Sequence, residues 1–550
     1  MKRMLKTLAA CLGVAVLTAV GTAWLFLSGR IDVSHLLYQL HYNPWVTARN
    51  PVERKRVIQT ILVKLDVDEY SLPSMKTKQP FISGGGAILP LPGGAILVLD
   101  KYGGLYRFHR GGAGEGPRLE TLGNAVKTNN DLYGDYARSQ GYSLRPGTNV
   151  GYAGLGMRGI DLLHLKKHGM IAISYTQWQP EKHCMVNKVS VRKVDDRLNF
   201  LPGSVWKEVF VSHPCIGLNR RNRKKPMAGH QTGSRMYELP DGRILMGLGD
   251  VKHDGVNRPN ILDDPDVDLG KFFIIDPVSG RRELYNTGHR NPQGLTIARD
   301  GTIWETEHGP TGGDELNRMV KDKNYGWPHA TLGKLCLTCK GVLNGRHDGY
   351  FPPVFAWSPG LGISNLIEVR GISDAWDGNL LVASLKNQSL HRLTLLDHHV
   401  QQDEVIHIGE RIRDLYQADD GDIVLWTDSG KIIFLAADTR RSATGRLIAS
   451  LSPEARAAIH DCKECHIFTR GAQQQGMINL WGVYGRAIAS TSFPSYSQAL
   501  RSKGGKWDEK SLDAFLADGE RFAPGNAMGD NGVPDARLRA RIIAFLKKLR

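Results

Sequence analysis

Cysteines and low-complexity tracts are scarce in this sequence. Only 7 of its 550 residues are cysteine, and no segment is dominated by one or two residue types. These scarcities exclude a disulfide-dense miniprotein, a collagen-like chain and an intrinsically disordered protein. The net charge of +16 comes from basic residues scattered along the chain, and no nucleic-acid-binding motif accompanies them. We therefore expect a folded protein that does not bind nucleic acid.

The composition favours a β-rich protein of several domains. Hydrophobic residues make up 41% of the chain, which is enough for a sizeable core. A length of 550 residues exceeds that of one ordinary domain. Glycine contributes 62 residues, and glycine at this frequency is typical of many tight turns between short strands.

One long apolar run lies near the N-terminus. Residues 7–27 contain no charged side chain, and Lys2, Arg3 and Lys6 precede them. A helix of this length spans the roughly 30 Å hydrocarbon layer, and its basic flank stays in the cytoplasm. The run is longer than the core of a cleaved signal peptide, and only a weak cleavage site lies near Ala23. We predict that residues 1–30 are an uncleaved anchor in the inner membrane that holds the other domains in the periplasm; a cleaved signal is the alternative.

A helix is expected between this anchor and the body of the protein. Asn50, Pro51 and Glu53 provide an N-cap, a proline at the first helical position and an acidic residue at the third. Apolar residues then recur at helical spacing between Val57 and Leu65. The pattern predicts a helical connector within residues 31–79.

Six similar turn-and-strand units occupy the central part of the chain. In each unit a turn ending in glycine precedes a run of strand-forming residues, and the runs are AILVLD (95–100), MIAISY (170–175), RILMGLGD (243–250), TIWETE (302–307), NLLVASL (379–385) and DIVLWTD (422–428). Radial repetition of small sheets buries both faces of each sheet and leaves only short edges. We predict a mainly β protein with a six-bladed β-propeller at residues 80–438, and a two-sheet sandwich is the alternative.

The last hundred residues change to helical patterning. The sequence Ser-Pro-Glu at 452–454 is typical of a helix start. The last helix has an apolar stripe formed by Leu538, Ile542, Phe545 and Leu549. We predict a linker at 439–451 and a separate all-α domain at 452–550.

Four cysteines of the exported region form two candidate disulfide pairs. Cys11 lies within the apolar run. Cys336 and Cys339 lie in a glycine-rich loop. They are expected to form a local disulfide or a solvated thiol pair, because two further zinc ligands cannot be assigned. Cys184 and Cys215 either pair with each other or remain reduced.

A CxxCH motif follows the predicted helix start. Cys462 and Cys465 precede His466 in this motif, in which two thiols attach haem covalently and the histidine ligates its iron. A free CxxC pair is the alternative. An exported chain is the compartment in which covalent haem is expected.

The domain around this motif resembles class I cytochrome c over residues 450–550. The resemblance rests on NLWGVYGR (479–486), on the region from YSQAL to the tryptophan (496–507) and on PGNAM (524–528). It implies haem c attached to Cys462 and Cys465, with His466 and Met528 as axial ligands. Met477 lacks a Pro-Gly turn and is expected in the core. A methionine ligand raises the potential of the iron, which suits an electron carrier.

Polar residues are concentrated at several strand ends of the predicted propeller. The segments are GHQTGSR (229–235), GHRNPQGL (288–295), TEHGPTGGDELN (306–317), NYGWP (324–328), LKNQS (385–389) and RIRD (411–414). Cations on separate blades favour a polyanionic ligand, whereas an isolated basic residue is usually only solvated. Together these segments resemble the soluble glucose and sorbosone dehydrogenases, six-bladed propellers that use pyrroloquinoline quinone (PQQ), over residues 80–436.

The resemblance implies a role for each matched residue. His230 is the general base that takes the proton of the substrate hydroxyl. PQQ would be contacted by Arg290, Asn291 and His308, and its carboxylates would be bound by Lys386, Arg411 and Arg413. Gly309 and Pro310 would ligate Ca²⁺, and Glu315 and Tyr325 would belong to a further calcium site. Trp357 would line the sugar pocket. Guanidinium groups suit the three carboxylates of PQQ, and carbonyl oxygens suit a hard cation.

The sequence departs from the family pattern at three positions. An early blade reads AGLGMRG (153–159) where the family has a glutamine, His308 replaces a second glutamine, and Gly229 replaces an acidic neighbour of the base. The motifs as a whole predict a membrane-anchored quinohaemoprotein that oxidises a sugar (aldose) or similar alcohol with PQQ. Its own haem c would pass the electrons to a membrane or periplasmic acceptor. The alternatives are a propeller that binds a ligand or partner without PQQ and, less consistent with the visible residues, a calcium-dependent hydrolase.

Overall fold

The computed structural model describes most of the chain beyond the predicted anchor. The described residues are 52–72, 85–111, 116–142, 157–218, 230–335, 343–373, 375–437, 447–448, 451–462, 466–468, 478–491, 493, 496–526, 528 and 532–549. The predicted anchor, Cys336, Cys339, Cys465 and Met477 lie outside these ranges, as does most of the predicted linker. Within the described residues, no helix is both long and apolar enough to span a membrane.

Two strands precede the first three sheets of the propeller, which we call blades 1 to 3. The chain first forms β1 (Val52–Gln59) and β2 (Lys64–Ser71). Blade 1 contains β3 (Ala87–Pro90), β4 (Ile96–Leu99), β5 (Gly104–His109) and β6 (Arg118–Asn124). Blade 2 contains β7 (Gly159–Leu165), β8 (Met170–Gln179), β9 (Cys184–Lys193) and β10 (Lys207–Val211), with β11 (Ile216–Gly217) paired to β9. Blade 3 contains β12 (Gly233–Glu238), β13 (Ile244–Leu248), β14 (Lys271–Ile275) and β15 (Arg282–Thr287).

Three more sheets, blades 4 to 6, complete the circle. Blade 4 contains β16 (Pro292–Ile297), β17 (Ile303–Glu307) and β18 (Asp314–Arg318); the short parallel pair β19 (Ala330–Thr331) and β20 (Leu343–Asn344) precedes its outer strand β21 (Phe355–Trp357). Blade 5 contains β22 (Ile363–Glu368), β23 (Leu380–Ser384), β24 (Ser389–Leu396) and β25 (His399–His407). Blade 6 contains β26 (Ile412–Gln417), β27 (Ile423–Thr427) and β28 (Lys431–Ala437), followed in the sheet by β2 and β1.

These six sheets form a closed ring, which confirms the predicted six-bladed propeller. The innermost strands β3, β7, β12, β16, β22 and β26 contact one another in this order, and β26 contacts β3 again. Apolar side chains fill the space between neighbouring blades, as Leu381 of blade 5 and Leu425 of blade 6 do in one fully buried cluster. The core is therefore a set of layers between blades.

The six turn-and-strand units of the sequence form the same part of each blade. Their strands are β4, β8, β13, β17, β23 and β27, the second strand of every blade. The glycine before each strand has a positive φ between 57° and 94° at Gly94, Gly169, Gly242, Gly301, Gly378 and Gly421. Only glycine adopts this region without a steric cost, so the repeated glycine marks a turn that each blade requires.

The predicted helical connector is wrong where the structure describes it. Residues from Val52 onwards form β1 and β2, and β2 pairs with β28 at the opposite end of the propeller sequence. Leu65 and Val67 are fully buried, whereas Ile61 and Leu62 are more than half exposed. The buried positions thus follow the two-residue period of a strand. The N-terminal strands close blade 6, because β28 would otherwise be an unpaired edge.

Within the described ranges, the helices lie mainly in the C-terminal domain. In chain order they are α1 (Asn130–Ser139), a 3₁₀ turn (Lys166–His168), α2 (Pro453–Cys462), α3 (Gln498–Lys503), α4 (Glu509–Ala517), α5 (Gly519–Phe522) and α6 (Ala536–Lys548). The predicted start of α2 and the predicted stripe of the last helix are both confirmed. Ile542, Phe545 and Leu549 are almost fully buried, and Leu538 packs against the same cluster.

One cysteine pair is oxidised within the described part of the chain. Cys184 of β9 and Cys215, which precedes β11, form a disulfide with a Cα–Cα distance of 5.4 Å. The sequence left this pairing open. The bond joins the two segments of blade 2 that also pair as β9 and β11.

Candidate active site and haem site

The topology of a blade brings two sets of residues to the same end of the propeller. In an antiparallel sheet, the start of the first strand lies beside the end of the second strand. Residues that precede β7, β12, β16 and β26 therefore meet residues that follow β4, β13, β17 and β27. This end of the ring contains a cavity of about 620 Å³, which is large enough for a cofactor-sized ligand.

Most of the residues predicted for the site line this cavity. They are His230, Arg290, Asn291, His308, Gly309, Pro310, Arg411 and Arg413. These residues come from blades 3, 4 and 6, so the fold gathers segments that lie up to 183 positions apart in the sequence. The lining as described contains seven Lys or Arg side chains and one carboxylate, that of Asp428. The cavity therefore suits a ligand with several negative charges.

Asp428 fixes two of these cations. Its carboxylate accepts hydrogen bonds from Arg411 Nε at 2.9 Å and from Arg413 Nε and Nη2 at 2.9 and 3.0 Å. Burial alone would raise the pKa of Asp428, but the guanidinium groups of Arg413 and Arg411 lower it. The carboxylate is thus ionised and orients the guanidinium groups of Arg411 and Arg413 at the cavity.

Arg290 is held from three sides. Its Nη1 donates to the carbonyl oxygen of His308 at 2.9 Å, and its guanidinium lies 5.2 Å from the ring centre of Trp327. Its backbone amide donates to Glu307 Oε2 at 2.5 Å, and the amide of Asn291 donates to the same oxygen at 3.1 Å. Arg290 and Asn291 are therefore positioned before a ligand arrives.

Glu307 belongs to a buried group of acidic and polar side chains. Glu305, Glu307 and His289 place possible ligand atoms within 4.8 Å of one another. Glu307 Oε1 lies 3.3 Å from His289 Nδ1. Burial would raise the pKa of Glu307, but His289 and the two amides lower it, whereas burial and the Glu307 charge raise the pKa of Glu305. The Glu307 carboxylate therefore holds the turn that carries Arg290 and Asn291 through their backbone amides.

His230 is exposed at the wall of the cavity and is surrounded by cations. Desolvation lowers the pKa of its imidazole, and the charges of Arg158, Lys252, Lys101 and Arg413 lower it further. The ring is therefore neutral at neutral pH. A neutral imidazole accepts a proton, which is the state that a general base requires.

Sequence reasoning missed three cations of this cavity. Lys101, Arg158 and Lys252 all line it. Burial lowers the pKa of Lys101 to about 8, with the charges of Arg158 and Arg413 contributing, and burial together with Arg413 lowers the pKa of Arg158 to about 10. The positional signal was present, because Lys101 and Lys252 follow second strands and Arg158 precedes an innermost strand. Arg158 lies in AGLGMRG, a segment notable in the sequence only for its missing glutamine, and no motif marks Lys101 or Lys252.

Two predicted site residues lie elsewhere. Lys386 follows β23 at the correct end, but its side chain is exposed and its Nζ donates to the Gly360 carbonyl at 3.4 Å. Trp357 is buried between blades 4 and 5, where its Nε1 donates to Asp403 at 2.9 Å. Neither residue belongs to the described lining. The described lining therefore does not support the roles predicted for them in carboxylate and sugar binding: Trp357 lies on the outer strand β21, and Lys386 contacts the Gly360 carbonyl.

The loop predicted to ligate calcium is firmly held. Gly309 and Pro310 line the cavity beside Arg290. Asp314 accepts hydrogen bonds from the amides of Gly309 at 3.0 Å and Gly362 at 2.7 Å. A Cβ on Gly309 would lie 2.1 Å from the Gly312 carbonyl oxygen, so only glycine fits at this bend.

A second, much smaller cavity adjoins the loop. Its volume is about 10 Å³, and its walls include Glu307, Glu315 and Tyr325. This space holds one ion or one water. The Tyr325 hydroxyl is engaged, donating to the Arg318 carbonyl at 2.7 Å and accepting from the Val320 amide at 2.9 Å. The carboxylate oxygens of Glu307 and Glu315 therefore suit calcium as ligands, whereas the Tyr325 hydroxyl is already engaged.

A ring of polar residues forms the floor beneath the active-site cavity. Arg235 Nη1 donates to Asp161 Oδ1 at 2.7 Å and to Asp414 Oδ1 at 3.1 Å, and its Nε donates to the Gln293 carbonyl at 3.0 Å. Asn365 and the Ile88 amide also donate to Asp414. Each innermost strand contributes one member, so the ring closes the propeller axis and ties all six blades together.

The C-terminal domain brings the described haem-binding residues to one apolar cluster. Cys462 ends α2, and both Cys462 and Met528 pack against the buried core of the domain. His466 is half-buried, and its Nδ1 lies 3.3 Å from the Ile478 carbonyl oxygen. A hydrogen bond from Nδ1 leaves Nε2 as the nitrogen for iron, which is the usual arrangement of a metal-bound histidine. The residues fit haem c.

Comparison with known proteins agrees with the description of both the propeller and the C-terminal domain. The Glucose / Sorbosone dehydrogenase family profile matches residues 156–434, about half of the chain. The aldose sugar dehydrogenase YliI of Escherichia coli is 32% identical over 238 residues, which cover 39% of this chain and 62% of that protein. This chain spans only 62% of the length of YliI. That similarity alone therefore does not assign the activity of YliI to this chain.

Further similarities concern the C-terminal segment and the fold. Cytochrome c of Cannabis sativa is 36% identical over 87 residues, which cover 16% of this chain and 78% of that protein. The crystal structure of the soluble aldose sugar dehydrogenase of E. coli in its apo-form superposes with a TM-score of 0.50 at 22% identity, covering 68% of this chain and 99% of that one. The chain therefore belongs to the glucose/sorbosone dehydrogenase family and carries, in addition, a segment of the cytochrome c family.

Proposed function

We propose that this protein is a PQQ-dependent dehydrogenase of a sugar or similar alcohol that passes the electrons to its own haem c. The observation that carries the proposal is the cavity in which a neutral His230 faces a set of fixed cations. The cation set fits the three carboxylates of PQQ, and the neutral imidazole fits the removal of a hydroxyl proton.

Several residues of the cavity have a defined task in this reaction. Arg411 and Arg413, held by Asp428, would bind the carboxylates of PQQ, and Arg290 and Asn291 would contact the cofactor. Bound PQQ supplies a two-electron acceptor for the hydride of the substrate. His230 takes the hydroxyl proton as the carbon is oxidised. Gly309 and Pro310 would hold Ca²⁺ at the quinone, and Glu307 and Glu315 a second calcium ion.

The haem of the cytochrome segment would accept electrons one at a time from the reduced cofactor on the same chain. A tether of the length of 439–451 raises the effective concentration of the haem domain to roughly the millimolar range without a strong interface. Haem c can then deliver electrons singly to a membrane or periplasmic acceptor. The apolar run at 7–27 supports a periplasmic location with an inner-membrane anchor, because it is long enough to cross a bilayer.

The experiment uses full-length protein produced with covalent haem and titrated with PQQ and Ca²⁺. We expect PQQ to bind and aldoses to be oxidised with an artificial dye. His230→Ala should retain PQQ and lose about 10² to 10⁴-fold in turnover. His329→Ala is the matched control, since His329 is exposed and paired with Asp263 away from the cavity. Absence of PQQ binding and of aldose oxidation would instead favour a ligand-binding propeller beside an electron-transfer cytochrome.

A further inference from the structure

A buried cluster of polar side chains lies in blade 4, next to the turn that carries Arg290. Its members, which we call the His289 cluster, are His289, Glu305, Glu307 and Asn317, and each is at most 3% exposed. Glu305 and Asn317 face each other across β17 and β18, and Glu307 occupies the same face of β17 two residues further on. Potential ligand atoms of His289, Glu305 and Glu307 lie within 4.8 Å of one another. The fold therefore gathers four metal-binding side chains out of contact with solvent.

The hydrogen bonds of His289 leave the lone pair of one ring nitrogen facing a carboxylate. Asn286 Nδ2 donates to the Val320 carbonyl at 3.4 Å, so its Oδ1 is the acceptor that lies 3.1 Å from His289 Nε2. Nε2 therefore carries the proton, and in neutral imidazole Nδ1 has none. This Nδ1 lies 3.3 Å from Glu307 Oε1, which is also an acceptor. A proton or a cation is needed between two acceptors at this distance.

Two more oxygens of the cluster are without a donor. Asn317 Nδ2 donates to Glu305 Oε2 at 3.0 Å and to Glu307 Oε1 at 3.3 Å. Glu305 Oε1 and Asn317 Oδ1 are buried and have no hydrogen-bond partner in the described part of the chain. A buried acceptor without a donor is costly, and a buried carboxylate without a partner is costlier still. A cation would supply the partner that these oxygens lack.

The distances within the cluster match the spacing of ligands around zinc. Tetrahedral Zn²⁺ with bonds of 2.0 to 2.2 Å separates its ligands by roughly 3.3 to 3.6 Å. Glu307 Oε1 lies 3.3 Å from His289 Nδ1 and 3.3 Å from the Asn317 amide nitrogen. A half-turn of that amide places the unpartnered Asn317 Oδ1 at the same position. One imidazole nitrogen among oxygen ligands suits Zn²⁺, whereas Ca²⁺ takes oxygen ligands alone.

We propose that the His289 cluster binds one structural zinc ion. The ligands are His289 Nδ1, Glu305, Glu307 Oε1 and Asn317 Oδ1. Four protein ligands close the coordination sphere, which is typical of a structural rather than a catalytic zinc site. The ion would join the residue before Arg290 to the two central strands of blade 4. It would thereby stabilise the turn at the edge of the active-site cavity.

This zinc position is distinct from the calcium positions proposed above. The small cavity beside Gly309 has Glu307 and Glu315 in its walls, but its described walls include neither His289 nor Glu305. Glu307 is the residue that the two positions share. The inference concerns the protein alone and depends neither on PQQ nor on turnover.

The test measures zinc in full-length, haem-containing protein purified without an affinity tag. We expect one zinc ion per chain by elemental analysis, and recovery of this ion when chelator-treated protein is titrated with ZnCl₂. Loss of an outer partner of a metal site costs roughly 10 to 100-fold in affinity, so loss of a direct ligand in Glu305→Gln should cost at least about 100-fold. Glu305→Asp should keep part of the affinity. Glu283→Gln is the matched control, because Glu283 is exposed and paired with Lys321.

Thermal unfolding follows the same binding through stability. A ligand that binds only the folded state raises Tm. ZnCl₂ should therefore raise the Tm of the chelator-treated protein and of Glu283→Gln, and should leave the Tm of Glu305→Gln unchanged. An equal rise in Glu305→Gln would show that the zinc binds elsewhere.

X-ray absorption at the zinc edge needs no variant. We expect nitrogen and oxygen neighbours at roughly 2.0 to 2.1 Å, the outer scattering of one imidazole, and no sulfur. A sulfur shell at roughly 2.3 Å would place the ion on cysteines and refute the site. Cys336→Ser combined with Cys339→Ser should accordingly keep the zinc, and loss of zinc in this variant would also refute it.

Two further results would contradict the inference. If chelator-treated protein binds no Zn²⁺, protons shared within the His289 cluster take the place of the ion. If Ca²⁺ alone binds, with equal affinity in Glu305→Gln, the ion belongs to the small cavity beside Glu315. Neither result bears on PQQ binding or sugar oxidation, so failure of the zinc site and failure of the proposed function remain distinguishable.

Discussion

Arg413 forms a bidentate pair with Asp428, with Nε to Oδ1 at 2.9 Å and Nη2 to Oδ2 at 3.0 Å. Arg413 lies in β26 and Asp428 directly follows β27, so the pair lies where neighbouring strands of one blade meet. Because the planar fork matches a carboxylate in only a few orientations, the pair fixes the direction of the remaining guanidinium donor. A carboxylate ligand then finds this donor already in place.

Replacement of Arg413 by lysine should weaken the binding of PQQ by about 10 to 100-fold, because an ammonium group cannot reproduce the bidentate geometry. The dissociation constant is measured by titration of the apoprotein with PQQ in the presence of Ca²⁺. Arg299→Lys is the control, since Arg299 is exposed and pairs with Asp377 outside the cavity. Equal PQQ affinity in both variants would remove Arg413 from the cofactor site.

Glu307→Gln should destabilise the protein and loosen the Arg290 turn. The neutral amide weakens the hydrogen bonds to the Arg290 and Asn291 amides and replaces one acceptor oxygen by a donor. Loss of a buried hydrogen bond to a charged group costs roughly 1.5 to 3 kcal/mol. Chemical denaturation monitors the loss in the free energy of unfolding. Glu283→Gln changes an exposed glutamate and should leave the unfolding curve unchanged; a similar curve for Glu307→Gln would refute its supporting role.

The pH dependence of kcat/KM should reflect the lowered pKa of His230. A base is active above its pKa, and desolvation together with Arg158 and Lys252 lowers this pKa from the model-peptide value of 6.5. We expect kcat/KM to stay constant from pH 8 down to pH 6.5 and to fall only at more acidic pH. Arg158→Met removes one cation and should move the acid limb to higher pH. An acid limb above pH 6.5 in the unaltered protein would contradict this environment.

Haem attachment should depend on Cys462 and its axial ligation on His466. Protein made with cytochrome c maturation should retain haem after denaturing electrophoresis, whereas Cys462→Ser combined with Cys465→Ser should lose it. His466→Ala should abolish the low-spin spectrum, because Nε2 is the predicted iron ligand. Met528→Ala should keep covalent haem with a lower potential. Haem that survives the double cysteine change would refute the assignment.

The ring of blades could be predicted from the sequence because its signals are local. Each second strand follows a turn that requires glycine, and this pattern recurs six times. The closing strands β1 and β2 could not be predicted in the same way, since β28, the partner of β2, lies 360 to 372 residues further along the chain. The N-cap pattern at Asn50 outweighed the alternation of Val63, Leu65 and Val67, which are the positions that the structure buries.

The candidate site was predictable where several polar residues share one motif. His230, Arg290, Arg411 and Arg413 belong to such motifs and reach one cavity. Lys101, Arg158 and Lys252 are single basic residues, and only the blade topology shows that their strand ends meet. Lys386 shows the converse, because it follows a second strand at the same end of the ring but does not belong to the described lining of the cavity.

Anaerobic mixing of an oxidisable sugar with full-length, PQQ-loaded and haem-containing protein tests the central claim most directly. Absorbance of the reduced haem would be followed in a stopped-flow instrument over a range of protein concentrations. The account predicts haem reduction at a rate independent of protein concentration, and a protein cut within 439–451 should keep dye reduction but lose this phase. Haem reduction that is second order in protein, or absent while dye reduction persists, would show that the cytochrome does not serve this propeller.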